Sequence, residues 1–349
     1  MNKKWQICEV DKEKVEKLKN KYGISELLAT ILVNKNITTQ KEIEEFLNPT
    51  RNDFFDPFLI NDMDIAVERI RKAIETQEKV IIYGDYDVDG ITSITVLKSF
   101  LKDVGLDVDY YIPNRLEEGY GLNKNAIDEI AKNKYTLMIT VDCGISAIEE
   151  VDYANSLGIE VIVTDHHEPG EELPKALAVI DNKRKDSKYP FRELAGVGVA
   201  FKVSQALAQS MNVKEEEYLK YLDIVCVGTI SDIVPLISEN RVITKLGIKL
   251  LKQTRNTGLK AIINSSGYSQ INSTTISFGV APRINACGRM GKAEQALKLL
   301  LSKDIYEVNK LTQELNNYNR ERQEIEKEIF ESVLNKIEQN NLDKNRTIV

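Results

Sequence analysis

Three short apolar runs in this chain each hand over to an acidic residue: "VIIYGDYDVDG" from Val80, "LMITVDCG" from Leu137 and "VIVTDHH" from Val161. Two further strand-like runs, "VDYYIP" and "LAVI", lie among them, and helical patterns such as "GITSITVLKSFLKDVG", "KNAIDEIAKN" and "SAIEEVDYANSLG" fill the intervals. Strands alternating with helices predict an α/β domain whose five-stranded, largely parallel sheet is flanked by helices. In such sheets ligands bind beyond the carboxyl ends of the strands, which is where these acids fall.

The densest stretch places Asp85, Asp87 and Asp89 at alternate positions before Gly90. A calcium loop of the helix-loop-helix kind begins in this way, but it needs a preceding helix and a glutamate at its twelfth position. That position is Val96, and a β-branched strand precedes the aspartates. In an extended chain, alternate spacing would set all three carboxylates on one side. Crowded carboxylates repel unless cations neutralise them, so the pattern predicts a metal site rather than a solvated turn.

The chain's two histidines, His166 and His167, are neighbours and follow Asp165 at a strand end. A further acid, Asp232, sits in the nearly continuous apolar segment "DIVCVGTISDIVPL", where a lone charge must be paired, protonated or metal-bound. Asp223, at the front of that segment, reads as a polar position on a helix. Carboxylates mixed with imidazoles suit Mn²⁺ or Mg²⁺ better than zinc, for want of thiolates. The candidates outnumber the needs of one ion. Two ions about 3.5–4 Å apart can clamp the attacking and leaving oxygens of a phosphoryl centre, so the chemistry expected is phosphoester or phosphoanhydride hydrolysis. No phosphate-binding lysine loop or dinucleotide glycine fingerprint competes.

Residues 1–76 read as a helical N-terminal extension, with amphipathic stretches such as "VDKEKVEKLKNKYG" and "TTQKEIEEFLNP". The catalytic domain is expected over 77–303, turning mostly helical after about 195. A long connector helix is expected over 304–341, with Val308, Leu311, Leu315, Tyr318, Ile325 and Ile329 along one stripe and a length of about 55 Å. Its far half should be exposed, mobile or packed on another copy. Residues 342–349, ending in "RTIV", read as the start of a further domain. The four cysteines are scattered and predict buried small residues rather than disulfides or zinc. No apolar run has the length of a membrane span and the first residues lack a signal-peptide core, so a cytoplasmic protein without membrane contact is expected. The net charge of −7 argues against a broadly basic nucleic-acid surface, but bound cations would reverse the local field, and "APRINACGRMGK" gathers Arg283, Arg289 and Lys292.

"DYDVDG", "VDCG", "DHH" and "GTISD" together resemble the four motifs of the DHH phosphoesterase superfamily. Within it, "FLNPTRNDFFDPFLINDMDIAVERI", "YYIPNRLEEGYGLN", "LAGVGVAFK" and "PRINACGRMG" resemble the RecJ family of single-strand-specific 5′ to 3′ exonucleases, from about residue 4 to the end of the chain. The resemblance implies that Asp85, Asp87 and Asp142 hold one Mn²⁺ or Mg²⁺, with Mn²⁺ preferred, and that Asp89, Asp142, His166 and Asp232 hold the other. Asp142 then bridges. It implies that His167 faces the scissile phosphate as charge stabiliser or proton donor with Asp165 supporting it, and that Arg115 and Arg283 meet nucleic-acid phosphates. Gly196 and Gly198 would bring a helix start near a phosphate or allow close helix packing. Tyr189 and Phe191 fit core packing better than base stacking. Cys287 departs from the small residue usual at its position. The implied substrate is single-stranded DNA, in repair and recombination, with a single-stranded-DNA-binding protein and a helicase as implied partners. RecJ proteins continue into a second DHH-associated domain and an oligonucleotide-binding fold, so strand binding is expected to be incomplete within these residues. The alternative is a DHH enzyme acting on pyrophosphate, oligoribonucleotides or cyclic dinucleotides, which would share the metal ligands.

Overall fold

A computed structural model describes residues 9–339; Cys8 and the strand expected over 342–349 lie outside the described residues. The described residues open with helices α1 (Lys12–Tyr22), α2 (Glu26–Asn34) and α3 (Gln40–Leu47), followed by α4 (Met63–Thr76). Then come β1 (Val80–Gly84), α5 (Val88–Asp103), β2 (Asp109–Tyr111), α6 (Lys124–Lys132), β3 (Leu137–Val141), α7 (Ile148–Ser156), β4 (Glu160–Asp165) and β5 (Ala178–Asp181). The remainder is helical: α8 (Gly196–Ser210), α9 (Glu216–Leu219), α10 (Leu222–Ser231), α11 (Ser238–Leu251), α12 (Thr257–Ser265), a π-helical turn over Thr275–Val280, α13 (Ala281–Arg289), α14 (Ala293–Leu301) and α15 (Ile305–Gln339).

The five strands are all parallel, in the order β2-β1-β3-β4-β5. Alternate residues of each strand enter different cores, as a two-residue period requires. Ile82, Ile139, Ile162 and Ile180 face the core shared with α4, α5 and α8, whereas Ile81, Tyr83, Met138, Val161 and Val163 face the smaller one under α6 and α7. Both faces of the central strands are covered, so β1 and β3 are buried along their whole length and β4 from Val161 onward.

The larger core runs on without a break into the helical half, through Val225, Ile243, Ile262, Ile284 and Leu297 to Val308, Leu311 and Leu315 of α15. Tyr318 still packs on this core and Asn319 is buried, but farther along α15 Ile325, Ile329, Phe330, Val333 and Leu334 are exposed. At the other end, α1–α3 close a small core of their own around Val15, Leu32 and Ile43. Helix α4 behaves differently, because Met63, Val67, Ile70 and Ala73 belong to the main core.

A fully buried ion pair ties the segment after α3 to the body. Lys202 Nζ donates to Glu239 at 2.9 Å and to the Phe55 carbonyl at 2.6 Å. Glu239 also accepts from the Phe55 amide and the Tyr189 hydroxyl. Tyr189 and Phe191 are thus core residues. Removing one partner of a buried pair strands the other charge, so Lys202→Ala should cost about 3–5 kcal/mol in urea unfolding, with Lys202→Met/Glu239→Gln recovering at least half. A loss below about 1 kcal/mol for Lys202→Ala would mean that the pair is screened by water.

Candidate metal centre and nucleic-acid interface

Strand register builds the site. Gly84 pairs with Val141, Val141 with Thr164, and Asp165 with Asp181 across the sheet. The next residues, Asp85 and Asp142, therefore join Asp165 and Asp181 in one row along the carboxyl edge. The strand order reverses between β1 and β3, which opens a crevice there, and the row crosses it.

The three alternating aspartates do converge, but not on an extended chain. β1 ends at Gly84, and Asp87 is the N-cap of α5, its carboxylate accepting from the amides of Asp89 at 2.8 Å and Gly90 at 3.1 Å. Asp89 lies in the first turn of α5, not on an extended chain. The turn is tight enough that a Cβ on Gly90 would sit 2.3 Å from the Asp85 carbonyl oxygen.

Asp89 is met by a second helix start. The amides of Gly196 and Val197, opening α8, donate to its two oxygens at 2.7 and 2.9 Å. Gly196 thus serves close approach to a carboxylate rather than to a phosphate, and a Cβ there would lie 2.7 Å from Asp142. Asp142 itself has φ +58, a left-handed conformation uncommon for a residue with a side chain. From the helical half, α10 brings Asp232, and Asn285 of α13 accepts from the Val88 amide at 3.2 Å, docking α13 on the start of α5.

Ligand atoms fall into three groups, each within 4.8 Å: Asp85, Asp87 and Asp142; Asp89, His166 and Asp232; and Asp142, His166 and His167. His166 Nε2 lies 3.1 Å from Asp142 and 3.7 Å from Asp89, and its Nδ1 lies 3.7 Å from Asp232. Among the described residues neither ring nitrogen has a hydrogen-bond partner, and the same holds for Asp85 Oδ1 and Asp142 Oδ1, all of them buried. Buried polar atoms are normally satisfied, so this concentration of orphans fits a place made for cations.

The electrostatics agree. Burial, and then the neighbouring carboxylates, push Asp85, Asp89 and Asp232 up to about 7 and Asp142 well above the carboxylate range. Burial pushes His166 down, towards the neutral form that ligates metal. Asp165 differs. Burial opposes its charge, but hydrogen bonds from His167 Nδ1 at 2.7 Å and from the Ile145 and His166 amides hold it below the ordinary value. The same bond raises His167.

Arg115 lines the pocket beside Asp85 and Asp87, together with Tyr86, Tyr120, Asn285 and Arg289, and its guanidinium lies over the Tyr86 ring at 5.2 Å. Arg283 does not join them. Its guanidinium is engaged by Asn316 at 2.6 Å, the Gly279 carbonyl at 2.5 Å and the Ser265 carbonyl at 3.4 Å, bracing α12, the π turn and α15. Arg289, from the same basic segment, makes no hydrogen bond or ion pair among the described residues and borders the acids instead. Asp181 was not anticipated, although an aspartate follows "LAVI" as one follows the other strands. Burial and Asp165 raise it to about 7 against a bond from the Lys183 amide. Tyr120, whose hydroxyl reaches the Asp142 carbonyl at 3.4 Å, also gave no periodic signal. Asp223 is buried and accepts from Thr254 at 2.5 Å, away from the acids just described.

The sequence profile of the DHH family, N-terminal domain, matches residues 79–229. The single-stranded-DNA-specific exonuclease RecJ of Bacillus subtilis is 42% identical over 99% of this chain, and that of Escherichia coli 36% over 76%. A solved exonuclease RecJ bound to manganese superposes with a TM-score of 0.75 at 35% identity, covering 79% of this chain and 70% of its own. The chain belongs to the RecJ family. RecJ of Thermus thermophilus, solved with Mn²⁺, superposes over 93% of this chain with a TM-score of 0.79 at 29% identity. The chain spans 44% of the length of the B. subtilis RecJ and 48% of the E. coli one.

A pH dependence follows for the cation-free protein. Asp85, Asp89 and Asp232 titrate near 7 when folded and near the ordinary value of about 4 when unfolded, so between those limits the folded state holds more protons. Stability therefore falls as pH rises through about 7. In chelator the melting temperature should be several degrees higher at pH 6 than at pH 8, and Mn²⁺ should raise it most at pH 8. A cation-free protein that melts higher at pH 8, with no larger Mn²⁺ shift there, would contradict the assignment.

Proposed function

We propose that this chain hydrolyses phosphodiester bonds of single-stranded DNA from the 5′ end, releasing 5′-mononucleotides in DNA repair and recombination. The observation that carries the reading is a chain of ligand groups, Asp85, Asp87 and Asp142 linked through Asp142 and His166 to Asp89 and Asp232, with Arg115 and Arg289 on their border. Asp85, Asp87 and Asp142 would hold one divalent cation, and Asp89, Asp142, His166 and Asp232 the other, Mn²⁺ being preferred over Mg²⁺. The solved relatives carry manganese or magnesium. When bound, such cations neutralise the carboxylates and polarise a phosphate and the water that attacks it.

The protein's own contributions are positional and electrostatic. The Asp165 carboxylate fixes His167 through Nδ1, so the ring keeps one orientation and its Nε2 remains for a phosphate or leaving oxygen. His167 is half exposed, as a group that meets substrate must be. Arg115 and Arg289 offer planar donor forks that suit phosphate oxygens and would place the strand against the row of aspartates. No helix among the described residues is long and apolar enough to cross a membrane. A cytoplasmic setting, a single-stranded-DNA-binding protein and a helicase that supplies unpaired ends complete the proposal.

The test offers a 5′-phosphorylated single strand, its duplex, a dinucleotide and pyrophosphate with Mn²⁺. Mononucleotide release from the single strand should far exceed the rest; faster turnover of pyrophosphate or dinucleotide would favour the small-substrate reading. Asp142→Ala should abolish hydrolysis and reduce the number of Mn²⁺ bound in calorimetry. His167→Ala should bind Mn²⁺ normally and lose about 10²–10⁴-fold in kcat. Arg115→Ala and Arg289→Ala should raise KM and lower the salt slope by about one each, whereas Arg283→Ala should lower the melting temperature instead.

A further inference from the structure

A cavity of about 920 Å³ lies at the far ends of two helices that carry candidate metal ligands. Helix α5 begins at the ligands, with Asp89 in its first turn, and its 16 residues run about 24 Å to the cavity wall at Lys98 and Lys102. Helix α10 runs the other way, from Tyr221 and Asp223 on the cavity to its C-cap, Asp232, among the ligands. The hydrolytic reading makes no use of this place.

Three kinds of surface meet there. Helices α5, α11 and α14 all end at the walls, and cations gather at such carbonyl ends. Five line the cavity, Lys98, Lys102, Lys220, Arg255 and Lys303, against the two carboxylates of Asp103 and Asp223. Asp107 holds Lys98 and Lys102, and Asp103 holds Lys220 at 2.8 Å. Arg255 and Lys303 are exposed and make no hydrogen bond or ion pair among the described residues. The second surface is apolar, formed by the buried Ile224 and Leu300 with the half-buried ring of Tyr221.

The third is Asp223 itself, which is 4% exposed. One of its oxygens accepts from the Ile224 amide at 2.8 Å and the other from the Thr254 hydroxyl at 2.5 Å, and no cation pairs with it among the described residues. A carboxylate offers about four lone-pair sites, so each oxygen keeps one free. Burying such a group without a cation is costly, and on a cavity wall it is placed to accept from whatever enters.

We propose that this cavity binds a guanine nucleotide, its base against Ile224, Leu300 and Tyr221, its N–H edge on Asp223 and its phosphates on Arg255 and Lys303. Guanine is the common base that presents two adjacent N–H donors, N1 and N2, on one edge, which matches two free lone pairs of one carboxylate. A phosphate alone would meet the cations and leave Asp223 unsatisfied. A nucleoside alone would do the reverse. The site stands apart from the hydrolytic reading, since it needs neither a divalent cation nor a strand.

The experiment is calorimetric titration of the chain in chelator, where the aspartate row repels phosphate, with GDP, ADP, guanosine and inorganic pyrophosphate. GDP should bind about tenfold or more tighter than each of the others, as the loss of one charge-assisted contact predicts. Arg255→Glu/Lys303→Glu, a surface change, should weaken GDP by at least about tenfold and leave guanosine as in wild type. Asp223→Asn should bring GDP down to the level of ADP, and if that variant does not fold, the charge-reversed pair decides. Asp142→Ala should bind GDP as wild type does. Absence of GDP binding in chelator, pyrophosphate or ADP binding as tightly as GDP, or a charge-reversed protein that binds GDP unchanged would overturn the site, and so would loss of binding in Asp142→Ala. A chain that binds GDP as expected yet hydrolyses no strand with Mn²⁺ would keep the site and sink the hydrolytic reading.

Discussion

Mutual repulsion among carboxylates is the constraint on which the rest of this structure turns. Parallel register puts Asp85, Asp142, Asp165 and Asp181 in one row, and Asp87, Asp89 and Asp232 join it from α5 and α10. The protein compensates part of this charge itself. Amides at the start of α8 bind Asp89, those of α5 bind Asp87, and His167 with two further amides binds Asp165. What is left uncompensated, on Asp85, Asp142 and Asp232, is the charge that cations would balance. The directions of shift show how far this goes: Asp165, bonded by His167 and by amides, goes down, whereas Asp85, Asp142 and Asp232 go up, and so does Asp89, where burial outweighs its two amides.

Bringing two helix starts to one cluster dictates residue size around it. Gly228 of α10 faces Thr92 and Asp89, where a Cβ would lie 2.3 Å from the threonine hydroxyl, and Gly196 has the same relation to Asp142. These glycines serve contact, since their own backbone is ordinary for any residue. The helical half is therefore part of the site rather than an appendage. It supplies Asp232, Asn285 and Arg289 from segments far apart in sequence, and one unbroken core fixes them relative to the sheet.

Much of this was legible before any coordinates. Strand ends can be read because the apolar runs at Val80, Leu137 and Val161 are short and followed at once by acids, and a parallel sheet leaves such acids one place to go. What failed was local and geometric. Alternate spacing of Asp85, Asp87 and Asp89 implied an extended chain, but the helix starts between them, and the side chains converge through the cap and first turn. Arg283 was the arginine of "PRINACGRMG" expected to meet phosphate, yet six residues on a helix turn the side chain through about 240°, so it cannot share a face with Arg289. Only packing decides which one meets the acids. Asp181 carries little signal because it opens the polar run "DNKRKDSK", in which one more aspartate looks like a solvated turn residue. Helix α4 looked like its amphipathic neighbours, and whether its apolar stripe joins the main core is invisible to periodicity.

The net charge of −7 bears differently on nucleic acid once the charges are placed. The aspartates that crowd the crevice are the ones whose field bound cations would reverse, and the basic residues on its border are few: Arg115, Arg289 and, further out, Arg322. Attraction for a polyanion would then arise mainly from loaded metal, with the arginines setting register. Such a surface should be indifferent or repulsive to DNA without cations and attractive with them, so that binding and chemistry switch on together. A broadly basic protein would hold any strand regardless of its metal state. Here the same carboxylates that make the cation-free site costly would also prevent idle binding.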